Sequence, residues 1–253
     1  MADVTDKQMQ GKIALVTGGS GGIGSAICQR LADAGAQVVI VYANDAEKAA
    51  RIVQGLPGPG HWAARGRVDD SATLQLLANE MQTRYGKVDV LVNAAGITRP
   101  VPHADLDALD DDLIDHIFRV NWRGAFATIR AFRGLLERGS DATVVNISSV
   151  AGSTGLGSNV AYCASKAALD SLTRSLARSL APRIRVVSVA PGWVEGEYAQ
   201  RMSPLLIAEQ RTKTPLGRIA SADDVADAVM AVITLLRFST GCIIPVDGGR
   251  PLG

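Results

Sequence analysis

The chain is short of the groups that mark a metal centre, a disulfide scaffold or a charged-polymer surface. Its three cysteines, Cys28, Cys163 and Cys242, are scattered without a C-x-x-C. That spacing gives no sign of a zinc site or a disulfide framework and suits small buried thiols in a reducing compartment; no metal is expected. Excess charge is lacking too. Lys+Arg 26 against Asp+Glu 25 leaves a formal net charge of +1, so neither nucleic acid nor an anionic membrane has an electrostatic reason to be a partner. No stretch supplies the roughly twenty apolar residues of a membrane span. The N-terminal M-A-D-V-T-D-K-Q-M-Q lacks the apolar core of a signal peptide. Repeats and low-complexity tracts are absent. These gaps together lead to the expectation of a cytoplasmic protein that handles a small ligand.

What the sequence does have is apolar runs alternating with helical periodicity. With 253 residues, 47% hydrophobic and 20% charged, it can bury one substantial core, and a single domain over 1–253 is a simpler reading than two small ones. Residues 12–17, K-I-A-L-V-T, break into T-G-G-S-G-G-I-G (17–24) and then a periodic segment through Ile27, Leu31 and Ala34: strand, glycine turn, helix. Glycines let the backbone approach a pyrophosphate, and the helix start offers free N–H groups and a positive dipole end. Gly18, Ser20, Gly21, Gly22 and Ile23 are therefore candidates for phosphate binding, with a merely tight turn as the alternative.

The next strand, Q-V-V-I-V-Y (37–42), ends in Tyr42-Ala43-Asn44 with no acidic residue at its tip to pair with two ribose hydroxyls, although Asp45 lies just beyond. This favours NADP(H), with NAD(H) possible. Asn44, Lys48 and Arg51 are candidates for a 2′-phosphate, against the plainer reading of solvated helix charges. A helix over 45–54, a strand within 61–69 and a helix from about Ser71 to Tyr85 follow. K-V-D-V-L-V then runs into Asn93-Ala94-Ala95-Gly96, whose small side chains leave room at the sheet edge. One long helix is expected from about Asp107 to Glu137, with Asn121 in its middle; alone, such an Asn reads as solvated or as a local kink.

The segment that gives the rest a purpose is N-I-S-S-V-A-G-S-T-G-L-G-S-N-V-A-Y-C-A-S-K (146–166). A strand ends near Ser149, a Gly/Ser-rich loop follows, and a helix then carries Tyr162 and Lys166 four apart on one face. An ammonium beside a phenol favours the phenolate, which makes the tyrosine able to exchange a proton near neutral pH. A further strand runs into Pro191-Gly192-Trp193-Val194. The pattern then weakens over about 195–217, a length that suits a substrate lid. A helix over 221–237, opened by Ser221, and a last strand complete the chain. Seven strands alternating with helices predict an α/β, Rossmann-like, doubly wound parallel sheet with helices on both faces. Ligands bind such sheets at the carboxyl ends of the strands, where the glycine turn, 93–96, Ser149 and 191–192 all fall.

In this order and at this spacing, T-G-x-x-x-G-I-G, N-A-A-G, Asn121, Ser149, Y-x-x-x-K and P-G resemble the compact branch of the short-chain dehydrogenase/reductase family over essentially the whole chain. The chain is similar to ketoacyl carrier-protein and acetoacetyl-CoA reductases and to bacterial ketone reductases. The resemblance implies hydride transfer between a nicotinamide and a ketone or secondary alcohol, with Tyr162 as general acid or base. Lys166 would tune Tyr162 and hold the nicotinamide ribose, Ser149 would bind the substrate oxygen, and Asn121 would hold a water on the proton path. Cofactor contacts are expected from Gly18, Ser20, Gly21, Gly22, Ile23, Tyr42, Asn44, Val68, Asn93, Ala94, Gly96, Tyr162, Lys166, Pro191, Gly192 and Val194. The substrate is expected against Thr98, Ser149, Gly155, Tyr162, Trp193, Tyr198 and Met202. Two positions depart from the pattern: Arg67 precedes Val68 where an Asp is common, and Gly196 stands where a threonine is common. As in relatives, a homotetramer or homodimer is implied. A 3-oxoacyl thioester reductase is the alternative within enzymes, and a non-catalytic nicotinamide-binding regulator the alternative outside them.

Overall fold

The computed structural model describes residues 8–200 and 202–252. The strands β1 (Ile13–Thr17), β2 (Gln37–Tyr42), β3 (Trp62–Arg65), β4 (Val90–Asn93), β5 (Ala142–Ile147), β6 (Ile184–Pro191) and β7 (Ile243–Val246) form one parallel sheet in the order β3-β2-β1-β4-β5-β6-β7. The helices are α1 (Gly22–Asp33), α2 (Ala46–Gly55), α3 (Ser71–Arg84), α4 (Asp111–Phe118), α5 (Ala125–Leu136), α6 (Ala151–Thr154), α7 (Val160–Leu180), α8 (Glu197–Gln200), α9 (Pro204–Thr212) and α10 (Ala222–Thr234).

The strands are β-branched and apolar because both of their faces are covered. Along β1, Ala14 and Val16 join a core with Ile27 and Leu31 of α1 and Val225, Val229 and Val232 of α10. Ile13 and Leu15 join the opposite core with Leu74 and Met81 of α3 and Phe132 and Leu136 of α5. Successive residues thus feed alternate faces, as the pleat requires. The strand order reverses between β1 and β4, whose register pairs Thr17 with Asn93. A crevice opens at the carboxyl ends of these neighbours.

Helix starts are set by their caps. Asp45 accepts from Lys48 N, Asp70 from Ala72 N and Thr73 N, Asp110 from Leu113 N, Asn159 from Tyr162 N and Ser203 from Leu206 N. Ser221 and Asp224 form a capping box. By contrast, α1 begins at Gly21 with no side-chain cap and no acidic residue in its first turn.

The structure corrects several expected boundaries. The helix read over 107–137 begins at Asp111 and is interrupted by a wide π turn, Arg119–Gly124, between α4 and α5. Gly124 lies against Val68 there: a Cβ on it would come 2.7 Å from Val68 Cγ2. The strand sought in 61–69 pairs only over Trp62–Arg65, and Gly66 N closes it by donating to Tyr42 O. The final helix stops at Thr234 rather than 237, because Leu235 N and Leu236 N both turn back to Ala231 O. The loop after Ser149 contains the short helix α6, and 195–217 holds α8 and α9. Among the described residues, no helix is long and apolar enough to cross a membrane, and no cluster of three His, Cys, Asp or Glu could hold a metal.

Candidate active site

At the end of β1 the glycine turn is shaped from within. Gly18 has φ +64, and a Cβ there would meet the Ala95 backbone at 2.8 Å, so only glycine lets the turn pack on the loop after β4. Gly22 is the reverse case: nothing lies within 4 Å of a Cβ built on it, and the residue is exposed. The uncapped, positively polarised start of α1 therefore faces open space lined by backbone. That fits a pyrophosphate, whose oxygens would take the N–H groups that other helices give to caps.

Beside this cradle, Asn93 is buried, Ala94 N donates to Thr17 O at 3.2 Å, and Ala95 N reaches Thr17 Oγ1 at 3.3 Å. Gly96 is exposed and stands over two of the predicted residues. A Cβ on it would lie 3.5 Å from Asn121 Oδ1 and 3.7 Å from Lys166 Nζ. Asn121 is 1% exposed in the π turn. Its Oδ1 accepts from Ile97 N at 2.8 Å, and its Nδ2 donates to Ile97 O at 3.0 Å and Ser165 Oγ at 3.1 Å. The wide turn brings this side chain inward, where it ties the loop after β4 to α7.

Lys166 is 6% exposed, and its Nζ donates to Ile147 O at 2.7 Å and lies 5.7 Å from the Tyr162 ring centre. Burial pulls its pKa down to about 8, with the nearby Asp170 carboxylate acting in the opposite direction. Ser149 closes the group from β5: its Oγ donates to Pro191 O at 3.5 Å and accepts from Ala151 N at 3.2 Å. Gly192 follows at the end of β6, packed on Asp247 so closely that a Cβ would come 3.0 Å from Asp247 Cα. Trp193 O accepts from Ala220 N at 2.9 Å, which continues the edge to Val194.

The structure thus gathers Gly18, Ala94, Gly96, Asn121, Ser149, Tyr162, Lys166, Pro191 and Gly192 along one sheet edge. Thr98 joins them through Asn159, whose Nδ2 donates to Thr98 Oγ1 at 3.3 Å and Arg99 O at 2.8 Å, while Thr98 also shares a hydroxyl contact with Ser158. Gly155 stands apart: it is an exposed left-handed residue that closes α6, with nothing within 4 Å of a Cβ. Met202 is half-buried, its N–H donated to Ala199 O, and the side chain of Tyr198 lies outside the described residues. At the tip of β2, Tyr42 is half-buried and Asn44 exposed; Arg67 is exposed and bidentate with Asp69. Sequence reasoning passed over Ser165 and the capping role of Asn159; an Asn three residues before a helical Tyr, N-x-x-Y, is the signal that finds the latter.

A family model described as enoyl-(acyl carrier protein) reductase, one of the short-chain dehydrogenase models, matches residues 18–250. The chain belongs to the short-chain dehydrogenase/reductase family. Within the family, it is 38% identical, over 95% of its length and 96% of the relative, to a Streptomyces violaceoruber protein assigned to the granaticin polyketide synthase as ketoacyl reductase 2. It is 33% identical to the 3-oxoacyl-(acyl-carrier-protein) reductase FabG of Escherichia coli strain K12, over 95% of this chain and 97% of that one. A solved short-chain dehydrogenase/reductase from Brucella melitensis, of the glucose/ribitol dehydrogenase group, superposes with a TM-score of 0.90 at 28% identity, covering 96% of this chain and 98% of the other. The protein is accordingly a nicotinamide-dependent oxidoreductase acting at a C=O/CH–OH centre.

Proposed function

We propose that the protein is an NADP(H)-preferring carbonyl reductase in which Tyr162 delivers the proton and Lys166 tunes it. The observation that carries this reading is the placement of Lys166 Nζ 5.7 Å from the Tyr162 ring, buried and anchored on Ile147 O, at the sheet edge beside Ser149. The glycine turn and the start of α1 would hold the pyrophosphate of the cofactor; Asn93, Ala94, Val68, Pro191, Gly192 and Val194 would hold the rest, and Lys166 the nicotinamide ribose. When bound, the nicotinamide supplies the hydride to the carbonyl carbon. Ser149 donates a hydrogen bond to the substrate oxygen and fixes its position. Tyr162 then gives that oxygen its phenolic proton, and the adjacent ammonium stabilises the phenolate left behind. Asn121 keeps Gly96 and Ile97 against α7, and we carry it forward as the residue that holds a water on the path by which Tyr162 is reprotonated.

Two observations support NADP(H) over NAD(H). The Asp45 carboxylate, the acid nearest in sequence to the tip of β2, is engaged as the cap of α2 at 2.8 Å from Lys48 N. Arg65 stands in register with Tyr42 on the neighbouring strand and is exposed. Asn44→Asp should shift the NADPH/NADH ratio of kcat/KM toward NADH by about tenfold, because a new carboxylate repels a 2′-phosphate. An unchanged ratio would argue against this side of the reading.

The substrate is a ketone or a 3-oxoacyl thioester, bound between Thr98, Trp193 and a lid over 195–217 carrying Tyr198 and Met202. The ketoacyl names of the relatives favour the thioester; exposed Leu205 and Leu216 on the lid favour an uncharged ketone. A panel of ketones, ketoesters, acetoacetyl-CoA and crotonyl-CoA, each with NADPH and NADH, separates these outcomes. Ketone turnover supports the main reading, acetoacetyl-CoA dominance the thioester reading, and crotonyl-CoA reduction without carbonyl reduction contradicts both. The half-exposed edge strand β7, exposed Leu235 and Phe238, and the stacked Trp122–Phe126 pair support a homotetramer or homodimer, which native mass spectrometry tests.

A further inference from the structure

Behind Lys166, on the sheet side of α7, lies a line of buried polar side chains that the proton-transfer chemistry does not use. Asn93 Nδ2 donates to Asn146 Oδ1 at 2.8 Å, Asn146 Nδ2 donates to Thr173 Oγ1 at 2.9 Å, and Thr173 and Ser188 share a hydroxyl hydrogen bond of 2.8 Å. None of these four residues is more than 4% exposed. Next to the line lies Asp170, 5% exposed, whose Oδ1 has no hydrogen-bond partner; the nearby Ser148 and Ser188 hydroxyls favour its charged form. Packing alone would not select a carboxylate here. A buried carboxyl with an unmet oxygen costs stability that Leu or Ala would not. Asp170 is one helical turn past Lys166 on the same face of α7, the spacing at which side chains become neighbours.

We infer that Asp170 is a positioning residue for the reaction: buried one helical turn from Lys166, its carboxylate keeps Lys166 protonated and the ammonium directed at Tyr162. This rests on the reductase reading of Lys166. The physical need is plain, since Lys166 is almost fully buried and burial drives its proton off, while Asp170 is the charge that opposes the loss. Burial also raises the pKa of Asp170 itself, and Ser148, Arg174, Ser188 and Lys166 counter it. On α7, then, Tyr162, Asp170 and Arg174 surround the site. The π turn contributes the uncharged Asn121, and β5 and β6 contribute the uncharged Asn146, Ser148 and Ser188. The titratable groups of α4, namely Asp111, Asp112, Asp115 and His116, are exposed.

The sign follows from these groups. With the Asp170 charge removed, Lys166 loses its proton at lower pH, and the alkaline limb of carbonyl reduction retreats toward neutrality. The test uses the full chain without cofactor. Competitive acetylation of Lys166, read by peptide mass spectrometry as a function of pH, gives its titration midpoint directly in wild type and Asp170→Asn. A midpoint lower by about one unit in the variant supports the inference, and an unchanged midpoint in folded Asp170→Asn overturns it. Should that variant fail to fold, the reciprocal measurement decides. In protein labelled with 13C-aspartate, the infrared carbonyl band of the buried Asp170 acid should titrate at higher pH in Lys166→Met than in wild type. The same titration in both would overturn the inference. The pH–rate profile of ketone reduction gives the functional counterpart, with its alkaline limb displaced by the same amount. Because the labelling needs no turnover, loss of the reductase reading would leave its result standing and distinguishable.

Discussion

Two regions border the same cleft and are built in opposite ways. On one side, Asn121, Asn159, Ser165 and Lys166 are each at most 6% exposed and are joined across α7, the π turn and the loop after β4 by direct hydrogen bonds. On the other, α8 and α9 are short, Leu205 and Leu216 are 83% and 72% exposed, and the ion pairs Arg211–Glu195 and Lys213–Glu209 lie at the surface. Such exposed pairs contribute about 0–1 kcal/mol each, whereas breaking a buried network leaves groups unsatisfied at about 1–3 kcal/mol apiece. Hydrogen bonds also reach this side, from the Arg250 guanidinium to Gln210 Oε1 at 3.1 Å and from Leu216 N to Gly248 O at 3.1 Å, and they join it to the C-terminal turn rather than to the chemistry. On the proposed function, proton transfer would be set in a network that tolerates little change, and recognition in a segment that tolerates much.

The contrast can be broken or sharpened by substitution on each side. After Tyr162→Phe, the largest effect belongs to Lys166→Met, expected to lower kcat/KM about 10³-fold by steady-state assay, because the tyrosine loses the charge that tunes it. The folded protein holds the lysine proton less tightly than the unfolded chain does. The cost of burying the charge is therefore present below about pH 8 and fades as pH rises from there toward the ordinary lysine value of 10.5. Wild type should accordingly gain stability over that window relative to Lys166→Met in chemical denaturation. Next is Gly18→Val. Its side chain must enter the Ala95 backbone from a left-handed φ, so a loss of about 1–3 kcal/mol and at least about tenfold weaker cofactor binding are expected from denaturation and fluorescence titration.

Asn159→Ala comes third. It removes a helix cap worth about 1 kcal/mol, and Asn159→Ser should recover that cap while still losing the ties to Thr98 and Arg99. If kcat returns with the cap alone, those ties do not position Tyr162. The smallest effect on stability belongs to Leu205→Ser on α9, within about 0.5 kcal/mol, with a raised KM and an unaltered kcat. A kcat loss there would erase the contrast between the two sides.

Much of this arrangement can be read without coordinates. Glycine turns and apolar strands announce themselves because their physics is local. The seven parallel strands and the shared edge of Gly18, Gly96, Ser149 and Gly192 follow from alternation and handedness alone. Other features depend on partners distant in the chain. The π turn around Asn121 is set by Ile97 and Ser165, the close approach of Gly124 by Val68, and no periodicity in 107–137 contains either fact. The apolar pattern runs past the end of the last helix because Leu235 and Leu236 continue it while exposed to solvent. Asp170 hides for a related reason: in sequence it is one more acid on an amphipathic helix, and only its burial among Ser148, Ser188 and Lys166 distinguishes it.

The most direct test of the chemistry is Tyr162→Phe, which removes one oxygen and leaves the ring. Ketone reduction followed at the nicotinamide absorbance should fall by about three orders of magnitude or more, while NADPH binding, read by fluorescence, stays within about twofold of wild type. Turnover retained in Tyr162→Phe would contradict the assignment of Tyr162 as the proton donor.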